Sequence, residues 1–146
     1  MAAFTKVNGF AEHLGLGLHH FGTDQLKIGL VSADPTTALN ASTAAAIIAT
    51  VTLVSTTNLS GANPLNVTTT GYAQASGTFK LVCTDLTLTA TGDVGPFQYV
   101  VLYNDATTSP ADAVIGHYNY GSAITLHNGE TLLIDFDGTN GVLTVA

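Results

Sequence analysis

Apolar and polar residues alternate with a period of two along much of this chain. In Leu26-Lys27-Ile28-Gly29-Leu30 the large apolar side chains fall on every second position, which predicts a half-buried β-strand. Phe79, Leu81 and Cys83 share one face in the same way, and Leu86, Leu88 and Ala90 share another. The run "GPFQYVVLYND" is apolar almost throughout after Gly95-Pro96, which predicts a strand covered on both faces. Only the beginning departs from this rhythm. Phe10, Leu14 and Leu18 form one stripe at helical spacing, so "VNGFAEHLGLGLHHFG" predicts a short helix started by Asn8 and ended by Gly22. Gly15 and Gly17 each weaken it by up to about 1 kcal/mol, so it depends on packing.

Turn formers divide the remainder. "ADPTTALNAST" and "ATTSPADAV" predict loops. Ile47 to Val54 is β-branched and predicts a strand, although the alanines before it suit a helix. Residues 55–71, rich in Thr, Ser and Asn, predict an exposed excursion. "VIGHYNYGSAITL" supplies a strand or two, with Gly116 and Gly121 as breaks or bulges. Asn128-Gly129 tolerates the left-handed angles of a tight hairpin between two apolar-rich runs, and "VLTVA" returns as the last strand. About eight strands separated by turns at roughly ten-residue intervals predict a mainly β fold, a β-sandwich or jelly-roll-like barrel with a short N-terminal helix. Residues 1–146 read as one domain, with 1–22 an arm and helix and 55–71 the exposed loop.

Charge narrows the function. Only 9% of residues are charged, arginine is absent and the formal net charge is -7. Such a surface does not neutralise phosphates, which argues against nucleic acid and anionic membranes as partners. A soluble chain ordinarily carries roughly a quarter charged residues. Interface cores are depleted of charge, so this composition favours an assembled subunit, a homo-oligomer, over a free monomer. Cys83 is the single cysteine and excludes an internal disulfide. No apolar run approaches about 18 residues, and "MAAFTKVNGF" lacks the apolar block of a signal peptide. Three Asn-x-Ser/Thr triplets, at Asn40, Asn58 and Asn66, read as products of composition rather than glycosylation sites.

The search for chemistry starts at the C-terminal end, where Asp135 and Asp137 stand one residue apart. On a strand they project together while Ile134 and Phe136 face the core. Asp-x-Asp-Gly-x-Asn resembles the opening of a calcium loop, but the twelfth-position glutamate of that loop has no counterpart. The expected role is turn formation by Asp137-Gly138 and Asn140-Gly141. His13, His19 and His20 flank the helix without zinc-ligand spacing and are expected at a surface or interface. His117 and His127 have no acid nearby in sequence to orient a base. Cys83 reads as a small core residue. Tyr99, Tyr103, Tyr118 and Tyr120 read as core or interface aromatics, with a sugar platform as the alternative. "GLGLHH" lacks the third glycine of a dinucleotide loop, and no Gly-x-Ser-x-Gly elbow is present. No catalytic residue, cofactor site or metal site is assigned, and the chain reads as a non-enzyme.

"HHFGTDQLKIGLVSADPT" near the start and "GPFQYVVLYNDATTSPADAVIGHYNYGSAITLHNGETLLIDFDGTNGVLTVA" at the end resemble small structural proteins of tailed bacteriophages. The resemblance covers both ends and fades through the threonine-rich middle. It describes a fold and carries no site residues. It implies a virion component, synthesised in the host cytoplasm. The role that fits a small acidic β-domain is a head decoration or cement protein. Such a protein would bind the major capsid protein on the outer capsid surface, as a homotrimer. A tail, baseplate or head-fibre component, or a carbohydrate-binding adhesin module, are the alternatives.

Overall fold

The computed structural model describes residues 2–146. The protein is mainly β and sandwich-like, with 48% of residues in strands and 12% in helices, which settles the class expected from the alternation. The elements are β1 (Phe4–Lys6), α1 (Gly9–Gly15), β2 (Leu26–Val31), α2 (Thr36–Leu39), β3 (Asn66–Val67), β4 (Thr69–Ala75), β5 (Thr78–Cys83), β6 (Leu86–Thr89), β7 (Val94–Thr108), β8 (Ala111–Leu126), β9 (Thr131–Ile134) and β10 (Leu143–Val145). They form three antiparallel sheets, ordered β1-β8-β7-β2-β3, β10-β5-β4 and β6-β9. Leu26, Ile28 and Leu30 point into the core from β2, and Leu81, Leu88 and Ile134 meet it from the smaller sheets. Tyr99 to Leu102 are buried in succession, so β7 is covered on both faces as its unbroken apolar run predicts.

Several local expectations are corrected. Ile47–Val54 is not a strand. Ile48–Thr50 is a turn of 3-10 helix, and Ile47 and Leu53 make only isolated bridges to Ala113 and Val31. Ala46 is fully buried, and a Cβ on Gly9 would come within 2.9 Å of its methyl group, so this stretch is shaped to seat α1 rather than to pair. "ATTSPADAV" is not a long loop: β7 runs to Thr108 and turns at Ser109-Pro110 directly into β8. The expected hairpin at Asn128-Gly129 is a corner between sheets. Gly129 adopts a φ of +86°, and the turn closes through Glu130 N–H to the His127 carbonyl at 2.9 Å. The flanking strands then part, with β8 staying beside β7 while β9 pairs with β6. The excursion at 55–71 is only partly exposed, because Leu59 is buried and β3 and the start of β4 lie within it. The helix stops at Gly15 before Leu18, and Asn8 makes no side-chain cap. Its own N–H donates to Asn40 Oδ1 at 2.7 Å.

Gly116 sits at a register shift in β8, where the ladder to β7 steps from the Leu102–Gly116 pair to the Tyr103–Val114 pair, as the expected bulge requires. It lies under β1, where an added Cβ would collide with the Thr5 carbonyl oxygen and with the Phe4 ring. Gly116→Ala is therefore expected to lift β1 from the edge of β8 and to cost about 1–3 kcal/mol. A urea titration that leaves the midpoint unmoved would contradict this packing.

Candidate functional site

The residues with unusual environments gather beneath α1. His13 is buried on the helix, and His19 is buried in the loop that follows. Both correct the expectation of a surface position, while His20 is exposed as expected. Their rings meet edge to face with centroids 5.8 Å apart, and His19 stacks on Phe21 at 5.5 Å and lies 5.2 Å from Phe10. The helical stripe places Phe10 inward, and the left-handed turn at Gly17, φ +68°, folds the chain back so that His19 reaches the same layer. Burial pushes the His19 pKa down to about 4, the nearby His13 pushes the same way, and Asp24 opposes. Burial lowers His13 too, against the pull of Glu12 and the Thr43 carbonyl. Across the sheet, His117 is buried with Nε2 3.3 Å from Thr36 Oγ1, and burial lowers its pKa against the field of Asp34.

Beside this cluster the surface holds a shallow aromatic groove. His20, Phe21, Tyr72 and Phe79 line it, with His19 below. Tyr72 is 56% exposed, and its ring lies against bare Gly22. Sequence reasoning missed Tyr72 because it stands in a polar, turn-rich context. The tyrosines it singled out face elsewhere. Tyr118 is buried, 5.0 Å from the Phe4 ring and 6.1 Å from Phe136, so it offers no platform to a sugar. Tyr99 is buried against His117. Tyr103 and Tyr120 are half-buried, the Tyr103 hydroxyl being pushed up to about 12 by burial and by Asp105 and Asp112.

Asp135 and Asp137 form turns. Asp135 Oδ1 accepts from the Asp137 N–H at 2.8 Å. Asp137 Oδ1 accepts from the N–H groups of Thr139 and Asn140, and its Oδ2 accepts from the Asn140 side chain at 2.8 Å. These bonds hold the Asp137 pKa below its ordinary value, with the Lys80 charge adding to them. Ile134 and Phe136 are fully buried, as the alternation predicts. Glu130, three residues on, accepts from the His127 backbone N–H at 2.8 Å, and tertiary structure supplies an acid for the His127 ring. Its Nδ1 lies 2.8 Å from Asp93 Oδ1, and that bond raises its pKa. Both side chains are more than 60% exposed, at 63% and 74%, so solvent screens the pair. Cys83 is buried and its thiol is pushed up to about 11, which makes it inert. Among the described residues, no three His, Cys, Asp or Glu side chains are placed to hold a metal ion.

A second feature is a gap in charge. Between Asp34 and Lys80 the chain contains no charged residue and no histidine. This tract runs from α2 to the start of β5 and brings Leu53, Tyr72 and the hydroxyl-bearing residues 55–57 to the surface. Comparison with protein-family models, with curated proteins and with solved structures finds no match to this chain.

Proposed function

We propose that this chain is a non-enzymatic structural protein of a tailed-phage virion. In this reading it is a head decoration protein that binds the major capsid protein on the outer shell as a homotrimer. The observation that carries the reading is the charge-free tract between Asp34 and Lys80, much of it exposed. Burying such a surface against a partner costs little desolvation, because few ions must leave water. The resemblance of both ends of the chain to phage structural proteins supports the same reading. A cement protein acts by binding energy alone: bridging neighbouring capsid subunits means that internal pressure must break additional contacts. A trimer gains from effective concentration, so each contact need only be modest. The N-terminal arm and residues 55–71 are the expected points of contact.

Mass spectrometry of salt-washed particles tests the proposal. Retention at hundreds of copies supports the head, whereas a handful of copies indicates the tail or baseplate. Light scattering of the purified chain is expected to give three copies. A monomer that ignores capsids, binds glycans or turns over a substrate would overturn the reading.

A further inference from the structure

Asn104 is fully buried on β7, and its neighbours fix which way its amide points. Its Oδ1 accepts from the Ala106 N–H at 3.0 Å. Its Nδ2 donates to Asp24 Oδ2 at 2.6 Å and faces His19 Nδ1 at 3.2 Å. An amide nitrogen only donates, so His19 Nδ1 is an acceptor and the ring proton is on Nε2. A flipped Asn104 would set its carbonyl against the Asp24 carboxylate and leave the Ala106 N–H unpaired. The site therefore fits neutral His19 alone, since a second ring proton would set one N–H donor against another.

Glu12, Asp24 and the Thr43 carbonyl favour the charged rings, but burial outweighs them. His19 Nε2 and both ring nitrogens of His13 are buried without a protein partner. The other polar groups around the pair are few. On α1, Glu12 lies beside His13, but its carboxylate accepts from Thr43 Oγ1 at 2.7 Å. In the following loop, Asp24 Oδ2 is already shared between Asn104 and the His20 N–H, and His20 adds repulsion when charged. On β1, Lys6 lies 5.9 Å over the Phe10 ring. On β7, Asp105 pairs with Lys27 at 2.9 Å. The β5 neighbour, Phe79, is apolar.

The segment that the two histidines help to seat also buries Val7, Phe10 and Phe21, but its strand pairing is short. β1 makes three residue pairs with β8, at Tyr118, His117 and Gly116, and beyond them Val7 N–H reaches the Ile115 carbonyl at 3.1 Å. We propose that His13 and His19 form an acid-responsive latch. Acidification charges the two imidazoles, and residues 4–24 then detach from the body and uncover the outer edge of β8. An uncovered edge is a row of unpaired backbone groups ready to accept another strand. The latch is independent of the virion reading and stands or falls separately from it.

Amide hydrogen exchange on the whole chain at pH 7.5 and 5.5, corrected for intrinsic rates, tests the latch. Protection across residues 4–18 is expected to fall by roughly tenfold at the lower pH, while β2 and β7 keep theirs. His19→Phe fills the slot between Phe10 and Phe21 without a titrating nitrogen and is expected to remove the effect, whereas the exposed His20→Phe retains it. Protection that does not change with pH, or a change that persists in the His13→Phe/His19→Phe double variant, would overturn the proposal. If His19→Phe fails to fold, imidazole nitrogen shifts of the unaltered protein decide. An Nε2–H tautomer with a midpoint below about 5 supports the latch, and an ordinary titration near about 6.5 refutes it.

Discussion

Phe136→Ala is expected to lower the free energy of unfolding by about 3–5 kcal/mol, while Asp135→Asn and Asp137→Asn lower it far less. The aromatic ring between the two aspartates is fully buried and 6.1 Å from the Tyr118 ring. Truncating it removes its transfer free energy and leaves a cavity beside Tyr118 that a close-packed β interior refills only in part. The aspartates serve the backbone that delivers this ring. Asp137 stands at φ +47°, a conformation asparagine tolerates, and an asparagine oxygen still accepts from Thr139 and Asn140. Added calcium is expected to leave the melting temperature unchanged, because Asp135 Oδ1 and both Asp137 oxygens already accept N–H donors from the turn. The check is a urea titration of the three variants with and without calcium. If Asp137→Asn proves as damaging as Phe136→Ala, or if calcium raises the melting temperature, the turn assignment fails.

The second large effect is expected from acid. His19 has a pKa near 4 in the folded chain against an ordinary value of 6.5, so the unfolded chain binds its proton first on the way down. Its stabilising contribution is complete above about pH 6.5 and is lost as the pH falls towards 4. At about 1.4 kcal/mol per pKa unit, that is about 3 kcal/mol between pH 7 and pH 4. His13 and His117 are lowered as well and act in the same direction. His127 is raised by Asp93 and has the opposite sign, but its exposure leaves it screened. Asp34 and Asp137, held low by their hydrogen bonds, lose their contribution only below the ordinary carboxylate range. Unfolding free energies measured at several pH values should therefore slope upward from pH 4 to pH 6.5, and His19→Phe should flatten most of that slope. A flat profile in the unaltered protein would contradict the burial of these rings.

Much of the fold is legible in the sequence. Alternation places β2, β5 and β6, an unbroken apolar run places β7, and the residues flanking Phe136 read as the turn formers they are. What is not legible shares one cause, since each case depends on a partner distant in sequence. Ile47–Val54 has strand composition, yet Ala46 packs beneath Gly9 and its neighbours find only single bridges. Asn128-Gly129 forms its turn, yet Leu86 and Leu88 claim the strand that follows. His13 and His19 are polar by type and occur in a glycine-rich stretch, which gives no sign that both rings are buried, His19 against Phe10 and Phe21.

The sequence by itself determined the class of fold, the faces of its better strands and a surface poor in charge. These follow from side-chain period and composition, which are properties of short windows of chain. Tertiary structure alone decided that β8 and β9 part into different sheets, that Asp93 meets His127, and that Asn104 faces His19. Each of these joins residues far apart along the chain. Such pairings are settled by which apolar surfaces and hydrogen-bonding groups are left to satisfy once the core has closed.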